Sequence, residues 1–344
     1  MTSAAPGREN TVMDVMGVRA LADAVRSGDR PALARAITLV ESIRADHRAA
    51  ARELLSVLAG SAAEPDTGWR VGISGVPGAG KSTFIETLGT MLTGRGHRVG
   101  VLAIDPSSVR TGGSVLGDKT RMPRLSADEN AFIRPSPAAG TLGGVARATA
   151  QTIPLLEAAG YDVVLVETVG VGQSETTAAS MVDTFLLLGL ARSGDQLQGI
   201  KRGVLEIADV IAINKADGDH TADARSAAKE LAGALRLIHG SSGTGSWVPP
   251  VVTCSGLTGD GVDEVWNLVA RHREFLGAAG IAAKRSAQRW DLVGALVTDA
   301  LLARLAHSPA VRAARERLRP QVLAGAVTPV AAADDILAAL DVGP

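Results

Sequence analysis

The chain has 344 residues, 46% of them hydrophobic, and its 35 basic and 36 acidic side chains give a formal net charge of −1. This composition suits one large domain with helical extensions, while the balanced charge and the 3% of aromatic residues argue against nucleic acid as a partner. The single cysteine, Cys254, excludes an internal disulfide framework and fits a reducing compartment.

The amino-terminal part predicts a tail followed by helices. Residues 1–12 lack the pattern of a secretion signal and predict a short disordered tail, and no apolar run of about 18 residues predicts a membrane span. We therefore expect a cytoplasmic protein without a membrane partner. Residues 13–60 predict a helical extension, because apolar residues recur at helical spacing and the segment 27–31, SGDRP, can end one helix and start the next.

From 61 to 275 the pattern changes to short apolar runs that alternate with helical stretches. The predicted strands are 69–75, 98–105, 162–168, 184–190, 209–215 and 250–255, with 131–137 as a further strand or a structured loop. Several runs are apolar at successive positions, as a sheet covered on both faces requires. We expect an α/β fold with a doubly wound, mostly parallel sheet flanked by helices, whose chemistry lies at the carboxyl ends of the strands.

Residues 276–344 predict a helical arm at the carboxyl end of the chain. The stretch 281–319 is rich in arginine and alanine. This composition suits either a solvated helix or an arm that packs on a second subunit.

The segment GVPGAGKS at 75–82 follows a predicted strand and precedes a helical pattern, which is the context of a phosphate-binding P-loop. Its backbone N–H groups would surround the phosphates, the Lys81 ammonium would bind the β- and γ-phosphates, and the Ser82 hydroxyl would bind Mg²⁺. The sequence thus predicts a P-loop NTPase. The predicted nucleotide-binding residues of this segment are Gly75, Val76, Pro77, Gly78, Ala79, Gly80, Lys81, Ser82 and Thr83.

The segment NKAD at 214–217 ends the predicted strand 209–215 and indicates a guanine reader. The Asp217 carboxylate would accept hydrogen bonds from N1–H and the exocyclic amine of guanine, a donor pair that adenine lacks. Asn214 and Lys215 would brace the loop and pack over the base. The next strand end carries CSGL, where the residues expected to complete the base pocket are Ser255, Gly256 and Leu257.

Further polar residues follow the strands near the P-loop. Glu167 ends the strand 162–168, where a carboxylate can hold Mg²⁺ through a water; a solvent-exposed strand end is the alternative. Asp105 ends the strand 98–105 and Asp118 lies in the following loop, so both could reach the metal or a catalytic water, although Asp118 could also be an ordinary surface residue. Gln173 is a candidate for positioning water, by analogy with other GTPases. The predicted catalytic residues are Lys81, Asp105, Glu167 and Gln173, and the predicted metal ligands are Ser82, Asp105, Asp118 and Glu167.

In this order, GVPGAGKSTF, VLAIDPSSVRTGGSVLGDKTRM, FIRPSPAAGTLGGVA, ETVGVGQSE, GDQLQGIKRGVLEIADV and NKAD closely resemble the MeaB family. These proteins are GTPases associated with methylmalonyl-CoA mutase, once described as ArgK-type transport proteins. The resemblance implies a homodimer that hydrolyses GTP to GDP and phosphate with Mg²⁺. It also implies a chaperone that couples this hydrolysis to cofactor loading, protection and reactivation of an adenosylcobalamin-dependent acyl-CoA mutase.

The resemblance also implies roles for particular residues. Asp105, Asp118 and Glu167 correspond to carboxylates on the metal side. The segment 191–201 corresponds to a loop that senses the nucleotide and contacts the mutase, with Asp195, Gln198 and Lys201 as the residues to test. Just before GDQLQ this chain departs from the family pattern, because it has GLARS where relatives usually carry a proline-containing stretch.

Three alternatives share the P-loop. A metallochaperone GTPase would carry a His-rich tail or paired cysteines, whereas this chain has six scattered histidines and one cysteine. A P-loop kinase of a small metabolite would have a lid with arginines and no guanine reader. A transport ATPase subunit would select ATP and would need a membrane partner.

Overall fold

The computed structural model describes residues 15–42, 44–59, 68–104, 121–135, 142–168, 174–191, 202–239 and 245–341. The chain divides into two compact units, with the boundary between residues 288 and 289. The first carries the sheet and the amino-terminal helices, and the second is helical. The predicted tail lies outside the described residues, and the domain boundaries at 12, 60 and 275 stay predictions.

Within the described residues, three helices precede the sheet: α1 (Val15–Arg26), α2 (Arg30–Glu41) and α3 (Ala45–Ala59). The turn between the first two is built by local chemistry. Gly28 takes the positive φ of 79° that few other residues adopt, and the Asp29 side chain caps α2 by accepting a 3.1 Å hydrogen bond from the Ala32 N–H. The amphipathic faces of these helices pack on one another and on the helix at 142–158.

A seven-stranded sheet forms the centre of the first unit, in the order β3-β2-β4-β1-β5-β6-β7 with every neighbouring pair parallel. The strands are β1 (Trp69–Gly75), β2 (Val99–Ile104), β3 (Ala131–Arg134), β4 (Val163–Thr168), β5 (Thr184–Leu190), β6 (Val210–Asn214) and β7 (Val251–Thr253). The predicted doubly wound parallel sheet is therefore confirmed. The chain order reverses around β1, so a crevice for a ligand is expected at the carboxyl end of that strand.

Helices cover both faces of the sheet, and one apolar cluster lies under each face. The helices within and after the sheet are α4 (Lys81–Gly94), α5 (Pro123–Ala127), α6 (Leu142–Ala158), α7 (Ser174–Ala179), α8 (Arg202–Ile207), α9 (Thr221–His239), α10 (Val262–His307, kinked at Gly277), α11 (Pro309–Leu323) and α12 (Pro329–Asp341). Burial on both faces explains why the strands are apolar at successive positions. In the described part of the chain, every helix is too short or too polar to cross a bilayer.

The first part of α10 is bound to the amino end of the sheet by a buried ion pair. Arg285 Nε donates a 2.8 Å hydrogen bond to Asp183, and Arg285 Nη2 donates to the Gly68 carbonyl at 2.6 Å. Both charged side chains are 2% exposed. A buried carboxylate needs such a partner, because an isolated buried charge is strongly unfavourable. Arg285 thus stabilises the packing of its own chain. The composition of 281–319 suits a solvated helix or an arm on a second subunit, and neither interpretation includes this role.

Candidate nucleotide site

The P-loop connects β1 to α4 and bends tightly at two glycines. Gly75 has a φ of 155°, and a Cβ at this position would lie 2.3 Å from the Leu188 carbonyl oxygen of β5. Gly80 has a φ of 85°, and a Cβ there would lie 2.8 Å from Asn214 Nδ2. Both close approaches require glycine. The loop therefore fits between β5 on one side and the end of β6 on the other.

Lys81 begins α4 and turns its side chain back over the loop. Its ammonium donates to the carbonyl oxygens of Gly75 at 2.8 Å and Val76 at 3.4 Å. Burial lowers the pKa of Lys81; the carboxylates of Glu167 and Glu175 act in the opposite direction, and Arg121 adds to the lowering. A buried ammonium held by two carbonyls is well placed to bind an anion in the loop.

The Ser82 hydroxyl donates a 3.0 Å hydrogen bond to Glu167 Oε1. This contact arises because β4 is the parallel neighbour of β1, with Ile73 and Glu167 in register. Hydroxyl and carboxylate oxygens are the donors that Mg²⁺ prefers, so these two residues fit a magnesium ion. Among the described residues, no group of three or more His, Cys, Asp or Glu side chains is arranged to hold a metal.

Asn214 links the P-loop to the loop after β7. Its Nδ2 donates to the Ala79 carbonyl at 2.7 Å, and its Oδ1 accepts a 2.9 Å hydrogen bond from the Gly256 N–H. Gly256 lies directly against α4, since a Cβ there would come within 2.9 Å of the Phe84 backbone, and the Thr87 hydroxyl donates to the Gly256 carbonyl at 2.6 Å. These buried contacts set the spacing between the phosphate loop and the loop expected to hold the base.

Asp217 lies opposite Ser255, whose hydroxyl donates a short hydrogen bond to Asp217 Oδ2. The Thr258 N–H donates to Ser255 Oγ at 3.1 Å and thereby fixes that hydroxyl. Lys215 is exposed and has a φ of 61°, a conformation that few residues with a side chain adopt. Its Cε lies 3.7 Å from the position of a Cβ on Gly80, so the side chain extends beside the P-loop. Leu257 is exposed at the edge of this group.

The structure brings most of the predicted site residues to one edge of the sheet. The group consists of the segment 75–83, Glu167, Asn214, Lys215, Asp217, Ser255, Gly256 and Leu257. Six predicted residues lie outside the described residues: Asp105, Asp118, Gln173, Asp195, Gln198 and Lys201. Their assigned roles stay predictions.

Three charged residues near the P-loop were not singled out from the sequence. Glu175 is buried and, like Arg121, acts electrostatically on Lys81. Glu86 is buried on α4 and binds the start of α5. Glu175 and Arg121 could have been found from the sequence, because they lie in two of the stretches that resemble the family, ETVGVGQSE and GDKTRM. Glu86 gives no local signal beyond a charged residue on an otherwise apolar helix.

Comparison with known proteins gives consistent matches. The profile of a family described as "Methylmalonyl Co-A mutase-associated GTPase MeaB" matches residues 33–310. The chain is 59% identical over 323 residues to a "Probable GTPase" of Mycobacterium tuberculosis, covering 93% of this chain and 94% of that protein. It is 48% identical over 321 residues to the "Methylmalonic aciduria type A homolog, mitochondrial" of Mus musculus, covering 91% of this chain and 77% of that protein.

A solved structure, that of "LAO/AO transport system kinase", has a similar fold. It aligns with a TM-score of 0.72 at 33% sequence identity and covers 96% of this chain and 100% of its own. The similarity therefore extends over nearly the whole chain as well as over the nucleotide motifs.

Proposed function

Because the chain belongs to the MeaB family of methylmalonyl-CoA mutase-associated GTPases, we propose that it is a GTP-dependent chaperone of an adenosylcobalamin-dependent acyl-CoA mutase. As a member of this family it is a GTPase, which converts GTP and water to GDP and phosphate. Methylmalonyl-CoA mutase is the client that we propose first. In this role the chain couples hydrolysis to loading of the cofactor and to protection and reactivation of the mutase, and it works in the cytoplasm.

One observation carries the proposal: the Ser82–Glu167 pair and the Asp217–Ser255 pair lie at the same edge of one parallel sheet, joined through Asn214. The first pair suits a metal-bound triphosphate. The second presents a carboxylate to a base. A site with both pairs selects the nucleotide by its triphosphate and by its base.

Each half of the site has a distinct task. The backbone N–H groups of the P-loop and the amino end of α4 bind the phosphates, and the Lys81 ammonium leaves the carbonyls of Gly75 and Val76 to bind the β- and γ-phosphates. At the other end, Asp217 exchanges its bond from Ser255 for the two donors of guanine. Adenine would leave that carboxylate without these donors, which disfavours ATP.

Ser82 and Glu167 are the described residues that would hold Mg²⁺, with Asp105 and Asp118 as further carboxylates of the metal side. The ion would neutralise charge on the phosphates during hydrolysis. Glu167 also leads directly into the segment 169–173, which carries Gln173, the proposed water-positioning residue. A change at the terminal phosphate is thereby passed from β4 into this segment and, through it, to a partner surface. Asp195, Gln198 and Lys201 are the proposed partner-sensing residues.

We also propose that the chain is a homodimer formed through its carboxyl-terminal arm. On α10, the apolar residues Trp290, Val293, Val297 and Leu301 recur every three or four positions and are 45–75% exposed. Residues at this spacing form one stripe along a helix. An exposed apolar stripe of this kind is typical of a surface that another subunit covers.

The test combines the purified chain with apo-methylmalonyl-CoA mutase and adenosylcobalamin. Complex formation is measured by analytical ultracentrifugation with GDP or a non-hydrolysable GTP analogue, and cofactor transfer by the absorbance of bound cobalamin. We expect both to depend on the guanine nucleotide and to be lost in Lys81→Ala. Transfer that is equally fast without nucleotide, or with Lys81→Ala, would contradict the chaperone role.

The similar solved structure is named as a transport system kinase, and this name favours one second candidate function, that of a kinase. A kinase would transfer the terminal phosphate to a second substrate, whereas a GTPase releases it as inorganic phosphate. A competition between GTP and ATP, followed by an assay of free phosphate, separates the two. Preference for ATP with no phosphate release would favour the kinase.

A further inference from the structure

A buried carboxylate on the P-loop helix holds the start of α5. Glu86 is 6% exposed and accepts hydrogen bonds from the backbone N–H of Arg124 at 2.9 Å and from that of Leu125 at 3.1 Å. The side-chain Nε of Arg124 adds a third bond, at 3.1 Å. Three donors directed at one buried carboxylate form a specific attachment, because both oxygens are used and the charge is compensated.

Apolar packing reinforces this attachment. Met122 and Leu125 are fully buried, and Leu125 fits over Gly89 so closely that a Cβ there would lie 2.6 Å from Leu125 Cδ2. Glu86 and Gly89 are three residues apart and therefore lie on one face of α4. The segment that begins at Arg121 is thus attached to the same helix whose first residue is Lys81.

The attachment leaves Arg121 exposed at the phosphate end of α4. Its guanidinium is close enough to the Lys81 ammonium to contribute to the lowered pKa of that lysine, although burial is the larger cause. Two cations held near each other repel unless an anion lies with them. Here the neighbouring carboxylates of Glu167 and Glu175 each act on Lys81 more strongly than Arg121 does, and in the opposite direction. A nucleotide triphosphate in the P-loop would place further negative charge beside both cations.

We propose that Arg121 contacts the phosphates of bound GTP as a second cation beside Lys81, and that Glu86 is the positioning residue that holds Arg121 in place. The inference deepens the proposed GTPase function and rests on it. In hydrolysis, the water oxygen bonds to the γ-phosphorus, the bond from that phosphorus to the bridging oxygen breaks, and the electron pair stays on the β-phosphate of GDP. The two protons of the water leave with the inorganic phosphate. Arg121 stabilises the negative charge that develops on these oxygens.

The test measures single-turnover GTP hydrolysis and the affinities for GDP and a non-hydrolysable GTP analogue. We expect Arg121→Ala to slow hydrolysis by about 10–100-fold, because a positioned cation at a transferring phosphoryl group has effects of this order. Arg121→Lys, which keeps the charge, should recover part of the rate. The matched control is Arg95→Ala, which removes an arginine at the opposite end of α4, where it pairs with exposed Asp263; its rate should equal that of the unaltered chain.

Glu86→Gln tests the positioning role, because the amide cannot accept all three hydrogen bonds. We expect it to slow hydrolysis, and we expect the double variant Glu86→Gln/Arg121→Ala to be no slower than Arg121→Ala alone. A merely structural role of Glu86 would instead multiply the two effects. A normal rate in Arg121→Ala, or multiplied effects in the double variant, would overturn the inference while hydrolysis by the unaltered chain stands. If the unaltered chain fails to bind and hydrolyse GTP, the proposed function itself fails.

Discussion

The amide of Asn214 donates a 2.7 Å hydrogen bond to the carbonyl oxygen of Ala79, so that the end of β6 is joined to the middle of the P-loop. The same side chain accepts a hydrogen bond from the Gly256 N–H in the loop after β7. Asn214 is buried, and solvent therefore cannot replace these bonds. One side chain fixes the spacing between the part of the site that binds phosphates and the part proposed to bind the base.

Asn214→Ala should weaken both the fold and nucleotide binding. The substitution leaves the Ala79 carbonyl and the Gly256 N–H without their partner, which should lower the free energy of unfolding by about 2–4 kcal/mol. Urea unfolding of the nucleotide-free chain and titration with a fluorescent GDP measure the two effects. The control, Asn130→Ala, removes an exposed asparagine before β3 and should change stability by less than about 0.5 kcal/mol. Unchanged GDP affinity in Asn214→Ala would contradict the bridging role.

Gly256→Ala should lower the affinity for guanine nucleotides at least about tenfold. The new Cβ would push the loop after β7, which is proposed to bind the base, away from α4, and such a displacement disrupts positioned contacts. The obstacle is the Phe84 backbone at 2.9 Å, which cannot rotate away as a side chain could. Isothermal titration with GDP measures the change. Gly233→Ala is the control, since that glycine lies in α9 with open space around it. Equal affinities in the two variants would show that the close approach of Gly256 does not matter for binding.

Asp217→Asn should change the base preference from guanine to xanthine. Xanthine carries an oxygen where guanine carries the exocyclic amine, so it offers an acceptor to the new amide donor. We expect GTP affinity to fall at least about 100-fold and xanthosine triphosphate to bind better than GTP. Competition binding with both nucleotides checks this, and Asp219→Asn in the exposed turn that follows serves as control. Retained guanine preference in Asp217→Asn would rule out Asp217 as the base reader.

His272 should make stability depend on pH. It is buried, with Nδ1 2.9 Å from the Thr184 hydroxyl and Nε2 3.3 Å from Asp209 Oδ1. Burial lowers its pKa below the ordinary value of 6.5; Asp209 and Asp183 act against this and Lys284 with it. As the pH falls through 6.5, His272 takes up a proton in the unfolded chain before it does so in the folded chain. The contribution of this histidine to stability is therefore fully present above pH 6.5, and it declines as the pH falls from there to the folded pKa.

Urea unfolding at a series of pH values tests this dependence. His272→Gln removes the titrating group, and its free energy of unfolding should vary less between about pH 5 and pH 7 than that of the unaltered chain. His307→Gln changes an exposed histidine and should keep the original slope. The same slope in His272→Gln would assign the pH dependence to other groups.

Val297→Asp should convert the proposed homodimer to a monomer, because a charge in the middle of the apolar stripe of α10 would be buried without a partner in the dimer. Light scattering and sedimentation velocity measure the mass. Thr298→Asp adds the same charge one position away, on a different face of the helix, and should leave the dimer intact. If the mass in solution does not change with Val297→Asp, the dimer forms through another surface.

The sheet and the P-loop could be predicted from the sequence because each depends on local patterns. Apolar runs at 69–75 and 162–168 indicate strands, and the glycines of GVPGAGKS indicate the loop without any knowledge of distant residues. The position of Glu167 next to the P-loop strand followed from the rule that sites lie at the carboxyl ends of parallel strands. Its pairing with Ser82 is consistent with that reasoning.

The remaining contacts could not be predicted, because they join residues far apart in the chain through single side chains. Glu86 and Leu125 are 39 positions apart, and Asp183 and Arg285 are 102 apart. No periodicity marks such partners, and in the sequence a buried arginine has the same letter as a solvated one. Asp183 is buried because the amino ends of β1 and β5 meet the same turn of α10. Only the folded chain brings these three elements together.

The Arg285–Asp183 ion pair limits how far the chain can be shortened. Ending it at 275, the last residue before the predicted arm, would delete Arg285 and leave the Asp183 carboxylate enclosed, with Arg273 at 3.8 Å as the remaining cation among the described residues. Breaking a buried pair in this way costs about 3–5 kcal/mol, a large share of the stability of an ordinary domain. A shortened chain that keeps this ion pair must therefore retain Arg285, which lies within the compact unit that ends at residue 288.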